Sequence, residues 1–134
     1  MEQRYIIHPE MDHDSAPYWQ SLREHQAKLQ KCSKCGRFRF PPSASCYYCG
    51  TLGGEWTAIS GRGNIYTWTV IHHPIDPRLA NEVPFIIVLV ESEEGPRIAG
   101  RLLSCEREQI KIGMPVKARY DDLDNELTLL NFEP

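Results

Sequence analysis

The chain has 134 residues, 41% of them hydrophobic and 25% charged, with 9 Gly and 10 Pro, which is the usage of one ordinary domain or two very small ones. A large multidomain enzyme, a fibrous protein and a disordered chain are excluded. A formal charge of −3 supplies no general basic field, so nucleic-acid binding would require a locally basic face.

The most apolar stretch, residues 83–90, falls far short of the roughly 20 residues of a membrane helix and contains Pro84. The N-terminal residues lack the apolar region and small-residue cleavage site of a secretory leader. The expected location is cytoplasmic, with no membrane partner. In that reducing compartment the 5 cysteines are read as metal ligands or buried thiols rather than disulfide partners.

In chain order, Asp14-Ser15-Ala16-Pro17 places an N-cap candidate before a first-turn proline. The pattern predicts a helix from there to about Gln30, within an N-terminal segment of residues 1–30. Tyr18, Leu22, Gln26 and Leu29 recur at helical spacing, with Trp19 beside them and Arg23, Glu24 and Lys28 elsewhere on the wheel.

Residues 31–55 carry Cys32-Ser33-Lys34-Cys35-Gly36 and Cys46-Tyr47-Tyr48-Cys49-Gly50, two C-x2-C hooks ten residues apart. Each hook brings two sulfurs to one ion from a tight turn, and together they complete the four-thiolate shell that zinc accepts. Such a site is coordinatively closed, so an ion held by Cys32, Cys35, Cys46 and Cys49 is structural. Iron in a rubredoxin-like centre uses the same ligands and stays open as an alternative. Between the hooks, Arg37-Phe38-Arg39-Phe40-Pro41-Pro42 reads as a short strand stopped by prolines.

Residues 56–134 change to short alternating segments broken by turn residues. Five strands are expected: a bent first strand from Trp56 through the Gly61-Arg62-Gly63 corner to Ile71, then residues 85–91, 97–103, 116–120 and 126–132. The second reads as buried on both faces. The fold class is therefore mainly β: a helix, a rubredoxin-like zinc ribbon and a five-stranded OB-type barrel.

Other residues admit more than one reading. Cys105 lies beside Glu106 and Glu108, which disfavour a thiolate, so it reads as a bystander thiol. His72 and His73 open the Pro-containing loop of residues 72–83 and offer a general base if the chain is an enzyme by itself. The acidic run from Asp121 to Glu126 lacks calcium-loop spacing and reads as a solvated turn. Tyr66 and Trp68 share a strand face that would stack single-stranded bases or join the core. Arg37, Arg39 and Arg62 offer guanidinium groups to nucleic acid or to the phosphates of a nucleotide-like cofactor such as coenzyme A. No Gly-rich phosphate loop or catalytic triad motif is present.

The order of an aromatic helix, C-x2-C-G, Pro-Pro, C-x2-C-G, a tryptophan and Gly-Arg-Gly-Asn-Ile-Tyr-Thr-Trp-Thr-Val-Ile-His resembles the DUF35 family of zinc-ribbon/OB-fold proteins over nearly the whole chain. The late Ile112-Gly113-Met114-Pro115-Val116 also fits, whereas Tyr47 stands where the family usually has proline. The resemblance implies an accessory subunit of a thiolase-superfamily or hydratase-like enzyme, including condensing enzymes and aldolases. It also implies that the partner owns the catalytic residues, so none is assigned here. Cys32, Cys35, Cys46 and Cys49 match the family's metal ligands, while its acyl-CoA contacts do not transfer by motif. Arg37, Arg39 and Arg62 are therefore assigned to coenzyme A on charge alone. The alternative function is a single-stranded nucleic-acid-binding ribbon/OB module.

Overall fold

The computed structural model describes residues 7–134. Helix α1, Ala16–Arg23, has Pro17 in its first turn and buries Tyr18, Ser21 and Leu22. Ser15 is the N-cap residue but its hydroxyl makes no capping bond. Asp12 closes the end instead: its carboxylate accepts from Ser15 N at 2.9 Å and its carbonyl from Ala16 N at 2.8 Å.

The helix is shorter than its hydrophobic pattern implied, ending at Arg23 rather than near Gln30. His25 takes a left-handed conformation (φ 56°), its N–H donating to Leu22 O while Gln26 N donates to Ser21 O. This is the paired bonding of a Schellman C-cap, which ordinarily employs glycine. Here tertiary contacts hold a histidine in place: its ring stacks on Tyr120 at 5.1 Å and bonds Asp122 at 2.9 Å. Gln26 and Leu29 consequently leave the helical stripe, and Leu29 becomes a buried strand residue.

Strands β1 (Lys28–Lys31), β2 (Phe38–Arg39) and β3 (Glu55–Ala58) form an antiparallel sheet in the order β2-β1-β3. Strands β4 (Arg62–Ile71), β5 (Phe85–Ser92), β6 (Arg97–Arg101), β7 (Pro115–Asp122) and β8 (Thr128–Glu133) form a second sheet in the order β6-β5-β4-β7-β8. From residue 55 onward the described residues hold six strands where five were expected, because β3 belongs to the ribbon sheet and the remaining five make the larger sheet. Trp56 belongs to the ribbon sheet, opposite Gln30, and is not the first half of a bent strand. Gly61, at φ 78°, turns the chain from one sheet into the other.

The larger sheet is not a closed barrel. Its edge strands β6 and β8 meet at one parallel bridge, Leu102 to Phe132, with Leu103 N donating to Phe132 O at 2.8 Å. β6 ends at Arg101, and the chain then leaves for the turn at Arg107–Gln109, so a continuous seam has no strand to build on. The expectation that residues 85–91 are buried on both faces is also corrected. Val88 and Val90 are core, but Phe85, Ile87 and Leu89 on the alternate face are only half-covered.

Among the described residues, one hydrophobic cluster serves both sheets. Tyr18, Leu22, Ala27 and Leu29 from the helix and ribbon side join Ile65, Val88, Ile98, Val116 and Phe132 from the larger sheet. Among the described residues, no helix is long and apolar enough to cross a membrane.

Gly63 shows how tightly β4 and β5 approach: a β-carbon there would lie 2.4 Å from Glu91 O and 2.7 Å from Val90 Cγ1. The first of these neighbours is ladder backbone and cannot swing aside. Gly63→Ala is expected to cost about 1–3 kcal/mol of stability through overpacking. Denaturant unfolding of the variant beside the unsubstituted chain checks this.

Candidate functional site

The two hooks fold alike. Gly36 (φ 75°) and Gly50 (φ 77°) close them, donating to Cys32 O and Cys46 O at 3.0 Å. Backbone N–H groups then point at sulfur: Cys35 N lies 3.4 Å from Cys32 Sγ and Tyr48 N 3.4 Å from Cys46 Sγ. All four Sγ atoms lie within 4.8 Å of one another, with Cys32–Cys49 and Cys35–Cys46 each 3.6 Å apart. A tetrahedron of ~2.3 Å metal–sulfur bonds has edges of about 3.8 Å, so the hooks are already shaped for a metal ion.

Local donors tune the thiols unequally. The Thr51 hydroxyl and backbone N–H hold Cys49 down to about 6, and the N–H groups of Cys35 and Lys34 lower Cys32. Cys35 receives the Arg37 N–H, which lowers it, but desolvation and the neighbouring thiols outweigh that and push it up to about 11. A metal ion must therefore displace protons to recruit all four sulfurs. Because protein ligands fill the tetrahedron, such an ion offers no place to a substrate or an activated water.

The three arginines assigned from charge occupy different settings. Arg37 is exposed, its guanidinium 4.6 Å from the Tyr48 ring centre. Arg62 is exposed and held in a forked pair with Glu93 at 3.0 and 3.1 Å. Arg39 corrects the expectation, being only 2% exposed. It donates to Gln30 Oε1 at 3.1 Å, Ser43 O at 3.0 Å and Gly53 O at 2.7 Å. It knits β1, β2 and the segment between the hooks together and presents no guanidinium to an external phosphate. Gly54 makes room for it, since a β-carbon there would lie 3.2 Å from both terminal nitrogens.

The remaining sequence candidates do not converge on a catalytic set among the described residues. His72 and His73 are exposed at the end of β4. Cys105 is half-buried, its Sγ 3.5 Å from Glu106 O, and it lines a cavity of about 500 Å³ together with His72 and Arg107. Asp122 and Asp124 serve as structural acceptors for His25, Thr128, His8 and the hairpin backbone, which lowers both carboxyls. Tyr66 is 45% exposed, but the Arg97 guanidinium covers its ring at 3.7 Å, and Trp68 packs against the core.

Two features take their form only in the structure. One is the run of exposed side chains in and just after the second hook, where Tyr47, Tyr48 and Leu52 are 53%, 58% and 77% exposed. The other is a groove walled by α1, Phe40-Pro41-Pro42 and the larger sheet. The exposed tyrosines are visible in the sequence, but only the hook's geometry shows which way they face.

A cysteine-braced ribbon sharing one core with an OB-fold sheet defines a two-part, mainly β zinc-ribbon/OB-fold protein. Residues 19–53 match the family model described as the ChsH2 rubredoxin-like zinc ribbon domain, and residues 56–121 match the ChsH2 C-terminal OB-fold domain. The chain belongs to the DUF35 family.

It is 33% identical over 105 residues to a DUF35 domain-containing scaffold protein of Methanocaldococcus jannaschii, covering 76% of this chain and 73% of that protein. It is 34% identical over 126 residues to a probable enoyl-CoA hydratase alpha subunit of Thermomonospora curvata, covering 94% of this chain but only 39% of that protein. The chain thus spans about two fifths of the length of that subunit. Among solved structures, a chain of the Ltp2-ChsH2(DUF35) aldolase superposes with a TM-score of 0.85 at 34% identity, covering 95% of this chain and 98% of that one.

Elemental analysis of the purified protein is expected to find one metal ion per chain, lost in Cys32→Ser/Cys35→Ser. Because thiols must deprotonate to bind, affinity measured by competition with a chromogenic chelator should fall steadily as pH drops from 8 toward 5. Arg39→Lys removes the planar fork and leaves buried carbonyls short of donors, an expected loss of about 1–3 kcal/mol in denaturant unfolding.

Proposed function

We propose that the chain is a non-catalytic accessory subunit that docks on a thiolase-superfamily enzyme and helps position that partner's coenzyme A thioester. The exposed side chains of Tyr47, Tyr48 and Leu52 carry this reading: three large, largely apolar residues close together in the chain stand more than half exposed in and just after the second hook. Aromatic anchors on a rigid support are the usual energetic centre of a protein interface. The scaffold and subunit descriptions of the relatives support the same division of labour.

In this reading the ribbon, residues 31–55, supplies the docking face. A structural Zn2+ on Cys32, Cys35, Cys46 and Cys49 keeps its hooks closed, while helix α1 and the turn after it tie it to the OB part, residues 56–134. The complex acts in the cytoplasm. Arg37, exposed beside the docking tyrosines, meets the coenzyme A phosphates at the shared interface. Arg62 contributes only where a phosphate displaces Glu93 from its fork. The partner supplies the nucleophile, and the scaffold holds the thioester in reach of it.

Co-purification from the native host tests the proposal. A thiolase-type enzyme should accompany the tagged chain and be lost with Cys32→Ser/Cys35→Ser. Against the purified partner, Tyr48→Ala/Leu52→Asp should weaken binding by about 30-fold or more. These positions suit the test because neither side chain is buried, whereas the Tyr47 hydroxyl bonds Pro41 O. Recovery of the chain alone, or with nucleic acid, would overturn the proposal.

A further inference from the structure

The groove behind the ribbon has chemistry of its own. It encloses about 630 Å³ between α1, the Pro41-Pro42 corner and the sheet strands β5, β6 and β8, a size common among small-molecule sites. Its surface is mostly apolar: Ile87, Ala99 and Leu129 lie on the sheet side, and Trp19 and Phe40 face them.

One polar group at this surface is unspent. Asn131, 3% exposed, accepts from Arg101 N through Oδ1 at 3.1 Å, which assigns the amide's orientation. Its Nδ2 is buried and finds no partner among the described residues. A buried donor left unpaired is costly, and a ligand oxygen would remove that cost.

Charge restricts the occupant further. Glu10, Asp12 and Asp14 line one end of the groove. The cation lining it, Arg101, is paired with Glu82 at 3.1 Å and lies over the Phe85 ring at 4.0 Å. Carboxylates and phosphates therefore meet repulsion and, among the described residues lining the groove, no free counter-charge.

We propose that this groove binds an uncharged, largely apolar small molecule carrying one hydrogen-bond acceptor, a ketone or ester carbonyl, whose oxygen accepts from Asn131 Nδ2. This site is separate from the ribbon arginines and stands whether or not the chain docks on a thiolase-like enzyme.

The full chain, metal-loaded and 15N-labelled, is titrated with 2-decanone and with decanoate at low salt and followed by NMR. The ketone should bind saturably, shifting the Asn131 side-chain amide and the Trp19 indole. Decanoate should bind at least ten-fold more weakly, and 1 M NaCl should narrow that gap by screening the acidic end. Asn131→Leu should weaken ketone binding about 3- to 10-fold. Ala99→Leu, at an exposed strand position, should weaken it by filling the groove while leaving Asn131 in place. Spectral dispersion verifies that each variant is folded, and Ala99→Leu carries the test if Asn131→Leu is not. The proposal is overturned if the ketone produces no saturable shift, if decanoate binds as tightly, or if a folded groove variant leaves the affinity unchanged. It is equally overturned if only a protein partner moves the groove resonances.

Discussion

Convergence of two cysteine hooks on one point is the constraint on which the rest of the molecule depends. Strand β2 is two residues long and the hooks bury little beyond their own sulfurs, so the hydrophobic effect alone offers this region a small return. Four sulfurs within 4.8 Å of one another convert metal affinity into folding free energy. Arg39 completes the same task from inside, bonding two carbonyls and the Gln30 side chain where apolar packing is absent. The exposed tyrosines, the Pro41-Pro42 corner and the groove behind it are all placed by that closure.

The two parts are coupled through β1. This strand pairs with β2 and β3 of the ribbon, while Leu29 reaches the core shared with the larger sheet. The chain arrives at β1 only because α1 stops after Arg23, and α1 stops there because His25 is held left-handed between Tyr120 and Asp122. The Tyr120 hydroxyl also accepts from Ala27 N at 2.8 Å, and Arg23 reaches Glu126 O at 3.1 Å. The β7–β8 hairpin thus decides where the helix ends. Its acidic residues act as the anchor that joins the helical segment to the sheet.

Electrostatics separates the surfaces. Arg62, Arg78, Arg97, Arg101 and Arg107 each have a carboxylate within 4.0 Å, so much of the positive charge is already committed. Arg37 lies instead over the ring of Tyr48 on the ribbon. An exposed guanidinium and exposed apolar side chains are thereby brought together on the ribbon. The groove, with acidic residues at one end and an uncommitted amide, suits uncharged matter.

The metal ligands, the ribbon, the mainly β class and the family were legible in the sequence because each rests on local spacing. A C-x2-C-G hook is a short-range geometric unit, and alternating segments between turn residues announce strands wherever they end up. Other features were decided by contacts between residues far apart in the chain. The pattern through Leu29 is compatible with both helix and strand, and a partner ninety-five residues away at Tyr120 chose between them. Trp56 joined the ribbon sheet because Gln30 lay opposite, and the barrel seam stayed open because β6 ended at Arg101. Arg39 and Arg37 are two residues apart and alike in composition, yet one is buried and the other exposed. The sequence by itself determined which chemistry is available. Only the tertiary structure decided which groups spend it internally, because burial and pairing are properties of neighbours that the fold alone brings together.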